Sequence, residues 1–101
     1  ALAPGGDMLA LVKPQFEAGR GRVGKKGVVS DPEVHRETLS KVLAAAAEAG
    51  LALRGLAPSP LRGAEGNIEF FAWWRLEACG AVEREKAIAE AVREGWETAS
   101  R

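Results

Sequence analysis

The sequence predicts an α/β fold with the order strand, helix, strand, strand, helix and a mixed sheet of order 1-3-2. Three observations predict it. An apolar run, Met8-Leu9-Ala10-Leu11-Val12, ends at Lys13-Pro14. A capped, alanine-rich helical stripe follows from Asp31 to Gly50. The most apolar stretch, Asn67–Arg75, comes late, after a short proline-rich turn. A helix between the first two strands makes them parallel with a right-handed crossover. The short turn makes the second and third strands antiparallel neighbours. Inserting the third between the other two gives it the central, most buried place.

Each element has a local cause. The first strand, residues 8–13, has Leu9 and Leu11 on one face and Met8, Ala10 and Val12 on the other. Apolar residues on both faces predict a strand covered on both sides. Pro14 cannot donate to a ladder, so pairing stops there. Residues 4–7 read as a turn and 15–30 as a glycine-rich loop. Asp31 or Ser30 can cap the first helix, and Pro32 suits its first position. Val34, Thr38, Leu39, Val42, Leu43 and Ala46 form its stripe, and Gly50 is the expected C′ residue. The second strand, 51–57, is stopped by Pro58-Ser59-Pro60. Ile68, Phe70, Ala72 and Trp74 occupy one face of the third strand; Glu69, Phe71 and Trp73 occupy the other. A final amphipathic helix runs from after Gly80 to about Thr98, burying Val82, Ile88, Val92 and Trp96.

A chain of 101 residues makes one small domain. Its 47% hydrophobic and 28% charged residues exclude a disordered chain. The net charge is zero, but Lys13, Arg20, Arg22, Lys25 and Lys26 face only Glu17 in their segment. Cys79 is the only cysteine, which argues against a disulfide scaffold and for a reducing, cytoplasmic setting. No apolar run approaches the ~20 residues of a membrane span, so no membrane is expected. No His or Cys partner lies near His35, so no metal site is expected; His35 is expected to be solvated or packed on the helix cap. Trp73, Trp74 and Trp96 are expected to pack, and Cys79 to be a small buried residue. The opening Ala1-Leu2-Ala3-Pro4-Gly5-Gly6-Asp7 reads as a helix end and a turn, so the chain is expected to be a piece beginning mid-fold.

Two motifs carry more than fold: Leu11-Val12-Lys13-Pro14-Gln15-Phe16-Glu17 and Gly66-Asn67-Ile68-Glu69-Phe70, with Val28-Val29-Ser30-Asp31-Pro32-Glu33-Val34-His35 between them. As a set they resemble the C-terminal part of the TlyA family, hemolysin-type ribosomal RNA 2′-O-methyltransferases with an FtsJ-like catalytic domain. The resemblance spans roughly residues 1–74. It implies that residues 1–101 are the C-terminal portion of a Rossmann-like methyltransferase fold that uses S-adenosylmethionine (SAM). It also implies a Lys-Asp-Lys-Glu tetrad, with Lys13 matching the second lysine and Glu69 the glutamate. The other tetrad residues, the cofactor-binding loop and an RNA-binding domain would lie upstream, so no cofactor-binding residue is assigned here and the fragment alone is expected to be inactive. Ribosomal RNA or a ribosomal subunit would be the partner.

In that role Lys13 would accept the proton of a ribose 2′-hydroxyl, which a lysine does only when burial and a neighbouring cation weaken its hold on its own proton. Glu69 would hold the ammonium groups in register. The plain alternatives are a solvated lysine at a strand end and a structural ion pair at Glu69. Arg20, Arg22, Lys25, Lys26 and Arg62 read equally as a phosphate clamp on RNA or as a solvated surface. Two rival functions stand beside this one: a membrane-active hemolysin, and a non-enzymatic RNA or protein interaction domain. The outer edge of the first strand is expected to drive self-association of the isolated chain through residues 8–13.

Overall fold

The computed structural model describes residues 6–18, 23–24, 27–76 and 83–99. Its sheet holds β1 (Asp7–Val12), β2 (Ala52–Pro58) and β3 (Phe70–Arg75) in the order β1-β3-β2. Both outer strands run antiparallel to β3, from Asp7↔Arg75 to Val12↔Phe70 and from Ala52↔Arg75 to Pro58↔Phe70. The outer strands are therefore parallel to each other, as the crossover requires. The helices are a four-residue turn, α1 (Pro14–Glu17), and two long ones, α2 (Pro32–Glu48) and α3 (Arg84–Ala99).

The ends of α2 follow from its sequence. The Asp31 carboxylate accepts from Glu33 N at 2.9 Å, with Pro32 in the first turn. At the other end Gly50 takes φ +90°, Gly50 N donates to Ala47 O and Leu51 N to Ala46 O, both at 3.0 Å. That pair of bonds is a Schellman motif. Glu83 caps α3, its carboxylate accepting from Glu85 N and Lys86 N. Residues 15–17 are helical where a loop was expected, because Phe16 N and Glu17 N both turn back to Lys13 O. Asp7 belongs to β1 instead of a turn, held by Trp73 Nε1 and Arg75 Nε at 3.0 Å each. These donors hold its carboxyl below the usual carboxylate range. The third strand begins at Phe70, not Asn67, since the carbonyls of Asn67 and Glu69 accept from Gly63 N and Ser59 N instead of a ladder partner. Val82 and Cys79 lie outside the described residues.

Leu39, Leu43, Phe70, Trp74, Ile88 and Val92 form a core between the helices and one sheet face. The opposite face departs from expectation. Leu9 is 68% exposed and Trp73 40%, with Leu11 and Phe71 also open. Residues opposite each other in an antiparallel pair share a face, so Leu9↔Trp73 and Leu11↔Phe71 make one apolar patch. Strand β1 is thus covered on one side only by the described residues. An apolar pattern on both faces shows that cover suits both, not that the same segment supplies it.

His35 also departs from expectation: it is fully buried between α2 and α3. Trp96 Nε1 donates to His35 Nδ1 at 2.8 Å, and the Phe70 ring stands edge-on at 5.4 Å. Accepting at Nδ1 puts the proton on Nε2, which is buried without a partner. Desolvation pushes the imidazole down from 6.5 to about 4, against the smaller opposing pull of Asp31. A histidine that must stay neutral when folded stabilises fully above its unfolded value. That contribution falls as pH drops from 6.5 towards 4 and is gone below, where the folded state is protonated too. The expected loss is on the order of 3 kcal/mol. Denaturant unfolding at pH 7 and pH 4 checks it: His35→Asn, which keeps an acceptor for Trp96, has a smaller pH-dependent difference than wild type.

Candidate functional site

The end of the β1–β3 pair brings the two singled-out residues together. Val12↔Phe70 is the last registered pair. Lys13 and Glu69 are the next residue on each strand, so both leave the ladder at the same place. They differ in environment. Lys13 is exposed, at the cap position of α1, whereas Glu69 is only 5% exposed. The burial that Lys13 needs as a proton acceptor is not supplied by the described residues.

Gln15 and Gly63, which sequence reasoning did not single out, shape the place of Glu69, and Asn67 fastens a neighbouring loop. Gln15 Nε2 donates to Glu69 Oε2 at 2.7 Å. Gly63 leaves the space its carboxylate fills: a Cβ there would lie 1.9 Å from Oε2 and 2.4 Å from the carboxyl carbon. Asn67, fully buried, accepts from Val29 N at 2.9 Å and donates to Gly27 O at 2.7 Å. It fastens the exit of the glycine-rich loop to the approach to β3. Gln15 and Asn67 stand inside the two motifs, two residues from Lys13 and Glu69 respectively, and that proximity was the available signal. Gly63 carried none, because its neighbour Glu69 becomes visible only in three dimensions.

Between Gly63 and Gly66 the chain makes a tight turn, with Gly66 N donating to Gly63 O and Glu65 in the left-handed region at φ 57°. Arg62, half-buried, adjoins Gly63 and so lies on the loop that packs on Glu69. Arg20, Arg22, Lys25 and Lys26 lie outside the described residues. Among the described residues no group of three or more His, Cys, Asp or Glu could hold a metal ion, and no helix is long and apolar enough to cross a membrane. No strand-to-helix glycine turn suited to SAM adjoins Lys13 or Glu69 in the described residues; β1 ends in the Pro14 turn instead.

Residues 2–76 match the FtsJ-like methyltransferase family. The chain belongs to that family. It is 55% identical over 69 residues to YqxC of Bacillus subtilis (strain 168), covering 68% of this chain and 25% of that protein. It is 42% identical over 92 residues to the 16S/23S rRNA (cytidine-2′-O)-methyltransferase TlyA of Mycobacterium tuberculosis, covering 88% and 34%. A solved structure of a hemolysin-named protein from Streptococcus thermophilus superposes with a TM-score of 0.86 at 38% identity, covering 95% of this chain and 34% of the other. The chain thus spans about a quarter to a third of the length of the curated relatives it matches.

Proposed function

We propose that residues 1–101 are the C-terminal part of an FtsJ-like methyltransferase domain, and that the full-length protein methylates ribose 2′-hydroxyls of ribosomal RNA. The observation that carries this reading is that Lys13 and the buried Glu69, which Gln15 holds, leave the β1–β3 ladder at the same end. It is supported by 42% identity to a protein named as an rRNA (cytidine-2′-O)-methyltransferase. An rRNA substrate puts the protein in the cytoplasm.

SAM, held mainly by upstream residues, supplies the methyl group. This chain supplies the proton acceptor and its orientation. Lys13 Nζ takes the proton of the 2′-hydroxyl whose oxygen would receive the methyl group as the carbon–sulfur bond of SAM breaks. Glu69 holds the ammonium groups of the site in place, and the Gln15 amide holds Glu69. Arg20, Arg22, Lys25, Lys26 and Arg62 contact RNA phosphates, which makes binding fall steeply with salt.

The test is transfer of labelled methyl from SAM to ribosomal RNA. The full-length protein transfers, its Lys13→Ala form loses about 10²-fold or more, and the 101-residue chain alone is inert. A Lys13→Ala form within a few-fold of wild type removes Lys13 from the reaction.

The hemolysin name of some relatives gives a second reading, a membrane-active protein. Against it, the exposed face of α3 carries Glu85, Glu90, Glu94 and Glu97 where a membrane-surface helix is rich in Lys and Arg. Leakage from anionic vesicles separates the two. The third reading, an interaction domain, draws on the open β1 edge and the Leu9–Trp73 patch. The isolated chain is expected to self-associate through residues 8–13. Light scattering checks this: a monomer at high concentration contradicts it.

A further inference from the structure

Gln15 does more than touch Glu69. A carboxylate only accepts, so the Gln15 amide must turn its NH₂ towards Glu69 Oε2, and that fixes where its own oxygen points. Gln15 Oε1 is buried and has no hydrogen-bond partner. A buried carbonyl without a donor destabilises the fold, and such groups call for a cause. Replacing the amide with an apolar group of similar volume would remove this orphan but leave Glu69 Oε2 without its donor. Yet the polar side chain bonds Glu69, 54 residues along the chain, and stands two residues from Lys13, which leaves the ladder at the same end as Glu69. Glu69 Oε2 and Gln15 Oε1 belong to one hydrogen-bonded unit that is rich in acceptors and carries a negative charge. The ligand that suits it is an ammonium group, with three donors and a positive charge.

We propose that Gln15 is a positioning residue of the methyl-transfer site: its amide N–H fixes the Glu69 carboxylate, and its Oε1 accepts from the lysine ammonium that Glu69 holds. This rests on the methyl-transfer reading above. The ammonium has two possible sources, Lys13 or a lysine outside this chain, and both present the same chemistry to the cradle.

The experiment compares the full-length wild type with Gln15→Met, which conserves volume and removes both polar atoms. The result expected is kcat for methyl transfer to ribosomal RNA at least tenfold lower, with KM for SAM and for RNA within twofold, measured at a temperature where the variant stays folded, because losing the donor to buried Glu69 also lowers the melting temperature. A merely structural glutamine lowers the melting temperature but leaves kcat of the folded enzyme unchanged. Gln15→Glu, which keeps an acceptor but sets it against the Glu69 carboxylate, fails to restore the rate. A double-mutant cycle with Lys13→Ala locates the ammonium. If Lys13 supplies it, Gln15→Met costs less than twofold further on that background; an undiminished tenfold loss assigns it to a lysine outside this chain. An active wild type with an equally active Gln15→Met overturns this inference alone, as does a loss carried by KM with kcat unchanged. An inactive wild type overturns the methyl-transfer reading, and this inference falls with it.

Discussion

Gly63→Ala is expected to lower methyl transfer by the full-length protein by about 10²-fold, because a displacement of about 1 Å in a catalytic constellation has effects of that size. The added Cβ would lie 1.9 Å from Glu69 Oε2, far inside contact distance. The carboxylate is the flexible partner, so it is the group that moves. Moving it breaks the 2.7 Å bond from Gln15 and leaves a charged group buried without its donor. The stability cost is about 1–3 kcal/mol. Gly63 has an ordinary backbone requirement, since among the described residues the positive-φ glycines are Gly27, Gly50 and Gly66. The effect therefore comes from space and not from conformation. Steady-state methyl transfer and urea unfolding check it together. An unimpaired Gly63→Ala enzyme would mean that the Glu69 position seen here is not the working one.

Asn67→Ala is expected to destabilise the chain by about 1–3 kcal/mol, chiefly the cost of orphaning the buried Val29 N. Val29 N loses its acceptor and Gly27 O its donor, and Val29 is itself buried. Out of a typical 5–15 kcal/mol this is a large share. Asn67→Asp separates the two bonds. It keeps an acceptor for Val29 N but sets an oxygen against Gly27 O. It is therefore expected to be destabilised as well, and more at pH 7 than under acid conditions that protonate the new carboxyl. Denaturant midpoints with an unchanged slope are the readout. Because Gly27 adjoins the basic loop, the same variants are expected to weaken RNA binding.

Much of the fold was legible because its signals are local or follow from pattern. Asp31-Pro32 and Gly50 mark the ends of α2 without reference to anything distant. The unusual apolarity of 67–75 placed β3 in the middle, and the 1-3-2 order followed. The features that escaped depend on partners far along the chain. His35 meets Trp96 across 61 residues and Val29 meets Asn67 across 38, and nothing near either polar residue announces its partner. The one-sided cover of β1 escaped for another reason. Leu9 and Leu11 are as apolar as a buried face requires, but the helices of this chain lie on the Val12 side. For the site, the motif set pointed to Lys13 and Glu69. The polar segment 61–66 reads as a turn, and it is one, but its contact with Glu69 and the helical turn at Gln15 are not marked by the residues around them.

The central claim is that Glu69, held at the end of the β1–β3 pair, is part of a methyl-transfer site. The most direct measurement is the rate of labelled methyl transfer from SAM to ribosomal RNA by the full-length protein and its Glu69→Gln form, which keeps shape and removes charge. The account predicts transfer by the wild type and a loss of about 10²-fold or more in Glu69→Gln with the fold intact. A Glu69→Gln enzyme within a few-fold of wild type would contradict it.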